Sequence, residues 1–116
     1  MPFLRFKGFE KKILQQIAPD LVAEFSHIAN VPKEIVKIEL VAVEQITDHP
    51  PSLEILMFPR EKETHDRLAS RLHAMVSEYG YSHVHIFFIL LNHSLYYKEG
   101  SPLAEIPSVK QPSCTS

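Results

Sequence analysis

Two short apolar runs, each followed by a helical stripe and then by a second apolar run, constrain this chain more than any other feature. In the first half, FLRF at residues 3–6 precedes Ile13, Ile17, Leu21, Phe25 and Ile28, spaced by threes and fours, with Leu14 and Val22 beside them. That spacing predicts an amphipathic helix lying on a sheet. Residues 37–46 (KIELVAVEQI) read as the next strand, with 38–43 apolar on nearly both faces. The second half repeats the order: a strand at 53–58 (LEILMF), a stripe of Leu68, Leu72, Met75, Val76 and Tyr79, and a nearly wholly apolar strand at 84–91 (VHIFFILL). A helix joining two strands makes them parallel, with a right-handed crossover. The expected fold is therefore a two-layer α+β sandwich. Two consecutive βαβ units, offset by about fifty residues, form a four-stranded mixed sheet with both helices on one face. In this alignment Phe6 matches Phe58, and the Lys7-Gly8 turn matches Pro59-Arg60.

Breaker residues punctuate the pattern. Pro19 falls inside the first stripe, where it removes the bond to the Gln15 carbonyl, so a kink or a break near Ala18 is expected. Asn30 and Pro32 end that helix, residues 47–52 form a turn cluster, and Gly80 ends the second helix. Acidic Glu61 at the opening of the second helix suits its dipole. Residues 1–100 form one domain. Residues 101–116, with Pro102, Pro107 and Pro112, have no period and are expected to be an extended or disordered tail.

Two helices cover only one face of such a sheet, and large apolar side chains remain on the other. A bare apolar sheet face is unusual on a soluble monomer, so a homo-oligomer is expected. With a formal charge of −2 and a pI near 6.4, the chain has no basic excess for nucleic acid. No apolar run reaches membrane-spanning length, and Arg5 and Lys7 leave no room for a leader's apolar region. The one cysteine, Cys114, makes no intrachain disulfide, which fits a reducing, cytoplasmic setting. With three glycines, Gly8, Gly80 and Gly100, there is no phosphate-cradling loop, and no cofactor is implied. His83 and His85 stand two apart on a strand, but without a third ligand at matching spacing they point to no metal.

The first strand begins at Pro2, where proline is tolerated because an opening residue need not donate to the ladder. The simpler reading is a plain strand start. The chemical reading is that removal of Met1 leaves a rigid secondary amine at the strand end. An ordinary α-amine titrates near about 8. Desolvation and a neighbouring cation both disfavour its charged form, which brings it toward the range where a general base works at neutral pH.

A strand beginning Met1-Pro2, a doubled βαβ unit and a total of 116 residues resemble the tautomerase superfamily. That group includes 4-oxalocrotonate tautomerase, malonate semialdehyde decarboxylase, haloacrylate dehalogenases and macrophage migration inhibitory factor. Pro2-Phe3-Leu4-Arg5-Phe6 with Phe58-Pro59-Arg60 is similar to an uncharacterised bacterial branch of it. The resemblance implies a homotrimer and a small carboxylate substrate, a 2-oxo or enol acid. Pro2 would be the general acid/base, and Arg60, in the turn after the third strand, would bind the carboxylate. In the inhibitory-factor branch a lysine immediately precedes the proline between helix and strand. Here that position is Val31, and Lys33 follows Pro32 instead. The region after the fourth strand supplies Asn92, Tyr96 and Tyr97 as expected lining residues. Tautomerisation, decarboxylation and hydration all stay open, as does a non-catalytic binding or signalling trimer, since fold alone does not decide activity. Taken singly, Arg60 also reads as a solvated charge at a helix start, and the tyrosine pair as packing.

Overall fold

The computed structural model describes residues 2–103. The chain runs β1 (Phe3–Lys7), α1 (Lys11–Ala29), a 3-10 turn (Lys33–Ile35), β2 (Lys37–Val41) and β3 (Ser52–Met57). It continues with α2 (Lys62–Ser77), β4 (His85–Leu90), a second 3-10 turn (His93–Leu95), β5 (Tyr97–Lys98) and β6 (Ser101–Pro102). The main sheet has the order β2-β1-β3-β4, with β1 parallel to β2, β3 parallel to β4, and β1 antiparallel to β3. This is the expected pair of βαβ units in a mixed sheet.

Strand alternation sends Leu4 and Phe6 of β1, and Leu53, Ile55 and Met57 of β3, to one face, where all are buried. Helix α1 meets them with Leu14, Ile17, Leu21, Phe25 and Ala29, and α2 with Leu68, Leu72 and Val76. Spacings of three and four place these residues on one side of each helix. The stripe is rotated slightly from the expected one: Ile13 and Ile28 sit half-buried at its edge, and Tyr79 is exposed.

Both helix ends follow from sequence. Asn30 takes a left-handed conformation (φ 59°), and the Val31 N–H reaches the Ser26 carbonyl at 3.2 Å. Gly80 (φ 96°) does the same after α2, with Tyr81 N–H on the Val76 carbonyl at 3.2 Å and Gly80 N–H on that of Ser77 at 3.1 Å. These six-to-one closures satisfy carbonyls that a helix end would otherwise orphan. Gly8 (φ 85°) turns the chain out of β1 so tightly that a Cβ there would stand 3.1 Å from the Pro51 Cα.

Three expectations need correction. Helix α1 continues through Pro19, which overturns the break, one of the two outcomes expected there. Pro19 and Gln15 are both exposed, so the carbonyl that loses its partner remains hydrated while the buried side keeps its packing. Strand β2 ends at Val41 rather than at 46, because β1 offers pairing partners only as far as Lys7. The helix starts, Lys11 and Lys62, align Phe6 with Met57 rather than Phe58, which keeps core residue on core residue.

The uncovered face is mixed rather than bare. Reading across the strands, its rows are Lys37–Phe3–Leu56–Ile89, Glu39–Arg5–Glu54–Phe87 and Val41–Lys7–Ser52–His85. Arg5 pairs with Glu39 at 2.9 Å and Lys7 with Glu54 at 2.8 Å, while Phe87 and Ile89 stay exposed. Ser101–Pro102 pairs with Tyr97–Lys98 through a turn with positive φ at Glu99 and Gly100, the geometry of tight hairpins. Residues 104–116, including Pro107, Pro112 and Cys114, lie outside the described residues. No helix among the described residues is long and apolar enough to cross a membrane.

Pro19→Ala restores one helical hydrogen bond at an exposed site. Proline in a helix interior costs about 3 kcal/mol relative to alanine, and the stiffer unfolded chain returns about 0.4–1 kcal/mol of that. The variant should be more stable by about 2 kcal/mol in chemical denaturation. An unchanged midpoint would mean that α1 accommodates Pro19 without cost.

Candidate functional site

Parallel pairing within each unit and antiparallel pairing between them bring four chain ends to one edge of the sheet. The starts of β1 and β2 lie there, with the ends of β3 and β4. The segments carrying Pro2, Lys33, Arg60 and Asn92 through Tyr96 therefore converge, although they are far apart in sequence.

Pro2 is buried, and its carbonyl accepts the Lys37 N–H at 3.0 Å. The ladder asks it only for an acceptor, which proline has. One step beyond the Phe3–Leu56 and Phe3–Lys37 pairs it lies between Met57 and Val36, both buried apolar residues.

Arg60 stands in the turn between β3 and α2. Its guanidinium is half-buried, and Nη2 donates to the Ala29 carbonyl at 3.4 Å, at the C-terminal end of α1. A helix C-terminus carries partial negative charge and holds a cation favourably. The Arg60 backbone N–H donates to His65 Nε2 at 3.1 Å. The His65 ring meets the edge of Phe88 with centroids 4.4 Å apart. Because Nε2 accepts, the neutral ring carries its proton on Nδ1, which is buried and has no hydrogen-bond partner among the described residues. Burial holds the His65 pKa below its ordinary value. The Arg60 and Lys62 charges act in the same direction, and Asp66 opposes them.

Phe58, the residue after β3, is buried beneath two aromatic edges: His93 at 5.7 Å and Tyr96 at 5.6 Å between centroids. Asn92 shapes this segment, since its Oδ1 accepts the Ser94 N–H at 2.9 Å and the Ser94 hydroxyl at 2.7 Å. Such a closure is an asparagine turn, and it sets the 3-10 turn that carries His93.

Of the six residues expected from sequence, Pro2 is buried, Arg60 and Tyr96 are half-buried, and Asn92 is exposed in the turn that it shapes. Lys33 is exposed at the start of its 3-10 turn, and Tyr97 is exposed on β5. Tyr96 and Tyr97 thus differ as neighbours in an extended segment do, one packed and one open. Sequence reading missed Phe58, His65 and His93. The histidines carry no motif, and the one available sign was His65 five residues after Arg60, within reach of the turn from the first turn of α2. No three His, Cys, Asp or Glu side chains among the described residues come together to hold a metal ion. In sum, this edge joins a half-buried cation and a neutral imidazole to an aromatic and aliphatic wall. That chemistry suits a small anion with an apolar or planar body.

Comparison with known proteins places this architecture. A protein of unknown function from Vibrio cholerae superposes with a TM-score of 0.81 at 27% identity, over 88% of this chain and 87% of that one. A domain of unknown function from Sebaldella termitidis gives 0.81 at 26% identity, over 89% of this chain and 100% of that one. A macrophage migration inhibitory factor-like protein from Entamoeba histolytica gives 0.69 at 12% identity, over 88% of this chain and 98% of that one, a likeness of fold. No curated protein matches the sequence. The fold is thus shared with that macrophage migration inhibitory factor-like protein. Residues 1–102 match the family described as a domain of unknown function, DUF1904, and the chain belongs to that family.

Proposed function

We propose that this protein is a cofactor-independent, tautomerase-like enzyme in which the Pro2 amine, freed by removal of Met1, is the general acid/base. Its substrate would be a small 2-oxo or enol carboxylic acid. The observation that carries the reading is the burial of Pro2 between Val36 and Met57, at the same sheet edge as the Arg60 turn. In a keto acid the proton on the carbon beside the carbonyl is acidic because its electrons pass into the carbonyl as an enol. The neutral proline nitrogen takes that proton, and the resulting ammonium returns it to another carbon or oxygen. Arg60 holds the carboxylate through a planar fork, which lysine does not offer. Tyr96 and Asn92 shape the wall, while Lys33 and Tyr97 form the exposed rim and are proposed as weaker substrate contacts.

The reading includes a homotrimer. Phe3, Leu56, Phe87 and Ile89 form an apolar strip on the uncovered sheet face beside the Arg5, Glu39, Lys7 and Glu54 charges. Another subunit would cover the strip and leave the charges to fix the register. Light scattering should give about three times the 13.3 kDa chain mass. A monomer at micromolar concentration would remove this part of the proposal.

Retaining Met1, or blocking the nitrogen with a tag, should abolish turnover of 2-oxo acids, and Pro2→Ala should lower it with the assembly intact. Activity should fall as pH drops and the amine becomes charged. Full activity in a Met1-retaining sample would rule Pro2 out as the base, and absence of turnover in Met1-free protein would favour a non-catalytic binding or signalling trimer on the same scaffold.

A hydrogen bond to a charged group contributes about 1.5–3 kcal/mol, so Arg60→Ala should lower kcat/KM by about tenfold to a hundredfold. Arg60→Lys should recover only part of this loss. Unchanged kinetics in both variants would return Arg60 to a surface charge.

A further inference from the structure

We propose that His65 is a positioning residue, whose Nε2 holds the Arg60 backbone N–H and so fixes the turn that presents the Arg60 side chain. The proposal rests on the reading of Arg60 as the carboxylate-binding group, and its test separates the two. Three observations converge on His65. Its Nε2 lies 3.1 Å from the Arg60 nitrogen, so ring and turn are joined directly. Phe88 packs against the ring with centroids 4.4 Å apart and interplanar angle 73°, which fixes the ring from the β4 side. Nδ1 is buried without a hydrogen-bond partner among the described residues, so the hydrogen bonding of the ring rests on Nε2.

Only the neutral ring can do this. Protonation puts a hydrogen on Nε2, where it faces the Arg60 N–H donor head-on, and the bond is lost. The charges around the ring are Arg60 in the turn and Lys62 and Asp66 on α2, while β4 presents apolar Phe88. Lys62 and Asp66 pair with each other at 2.9 Å, so the guanidinium is the larger repulsion for an imidazolium. The sign follows. The His65 pKa in the folded protein lies below the ordinary 6.5, so the unfolded chain, or the opened turn, binds the proton more readily. Closure of the turn is fully supported above about 6.5 and is lost as pH falls from there toward the lowered folded value.

The test uses ¹⁵N NMR on the full chain and reads the protection factor of the Arg60 amide against hydrogen exchange. In wild type the amide should be protected at pH 7.5 and lose protection progressively as pH falls below about 6.5. His65→Gln supplies a carbonyl acceptor at a similar reach without titrating, so protection should persist through that range. His65→Phe keeps a ring against Phe88 but no acceptor, and Arg60 protection should fall at least tenfold at pH 7.5 while core amides are unchanged. Should His65→Phe unfold, the contrast between wild type and His65→Gln decides. Equal Arg60 protection in wild type and His65→Phe at pH 7.5, or the same flat acid profile in wild type and His65→Gln, would overturn the proposal.

Titration with pyruvate, followed at the Arg60 side-chain resonance, checks the underlying reading. Binding in wild type that weakens about tenfold in His65→Phe supports both, and equal binding in the two proteins overturns the positioning role. If wild type gives no pyruvate response while the exchange pattern holds, carboxylate capture by Arg60 fails and the hold of His65 on the turn stands.

Discussion

The antiparallel pairing of β1 with β3 decides the rest of the structure. Each βαβ unit by itself is parallel, and its helix must lie on one face. Joining two such units through antiparallel central strands places the helices side by side over one face and reverses one unit against the other. The start of β1 therefore meets the end of β3. Had those strands paired in parallel, Pro2 and Arg60 would be separated by about the length of a five-residue strand, roughly 17 Å. The convergence of site residues follows from strand polarity, and a central Leu4–Ile55 pair buried on the helix side holds that polarity in place.

The uncovered face shows how the register is protected. A slip of one residue between β1 and β3 would send Leu4 and Phe6 out of the core and Arg5 and Lys7 into it, a change that burial forbids. The charges on the open side add to this. Arg5 and Glu39 are well exposed, and their pair contributes little. Lys7–Glu54 is more enclosed, with Glu54 only 15% accessible. A misregistered strand would leave that carboxylate without its partner in a partly dry setting, where the penalty is larger than the gain of forming the pair.

Much of the architecture was legible in the sequence because periodicity and breakers each had a physical meaning. The stripes of α1 and α2, the Asn30 and Gly80 caps and the four strands all rest on local rules. What was not legible depended on context. Pro19 reads as a kink or a break, and the break does not occur because the hydrated side of α1 absorbs the lost bond while Leu14, Ile17 and Phe25 hold the other. Residues 42–46 read as strand, yet β1 ends first and leaves them unpaired. The slip that matched Phe6 to Phe58 arose because both are phenylalanines near a strand end. Met57 and Phe58 are both buried, but strand alternation puts Met57 on the helix-covered face with Leu53 and Ile55, and Phe58 falls in the aromatic cluster. Pro2 and Arg60 stood out by chemistry. His65 and His93 did not, since a histidine without a motif gains its role from neighbours that the fold brings.

Positioning links these features to chemistry. Arg60 stands in the turn two residues before α2, where a long cationic side chain normally moves freely and loses considerable entropy on gripping a ligand. Here its guanidinium is tied to the end of α1 through the Ala29 carbonyl, and its backbone to α2 through His65. Much of the ordering cost is thus met by folding rather than by binding. The bond to Ala29 is long at 3.4 Å and made to a neutral oxygen, and in the proposed role of Arg60 a carboxylate would accept more strongly from the same guanidinium. Pro2 is fixed by the same logic: its ring removes backbone freedom, and its carbonyl is locked into β2. A site assembled from two such anchored ends tolerates little displacement. The parts that set their separation, the β1–β3 register and the Arg60–His65 bond, therefore bear on its chemistry as directly as the groups that would touch a substrate.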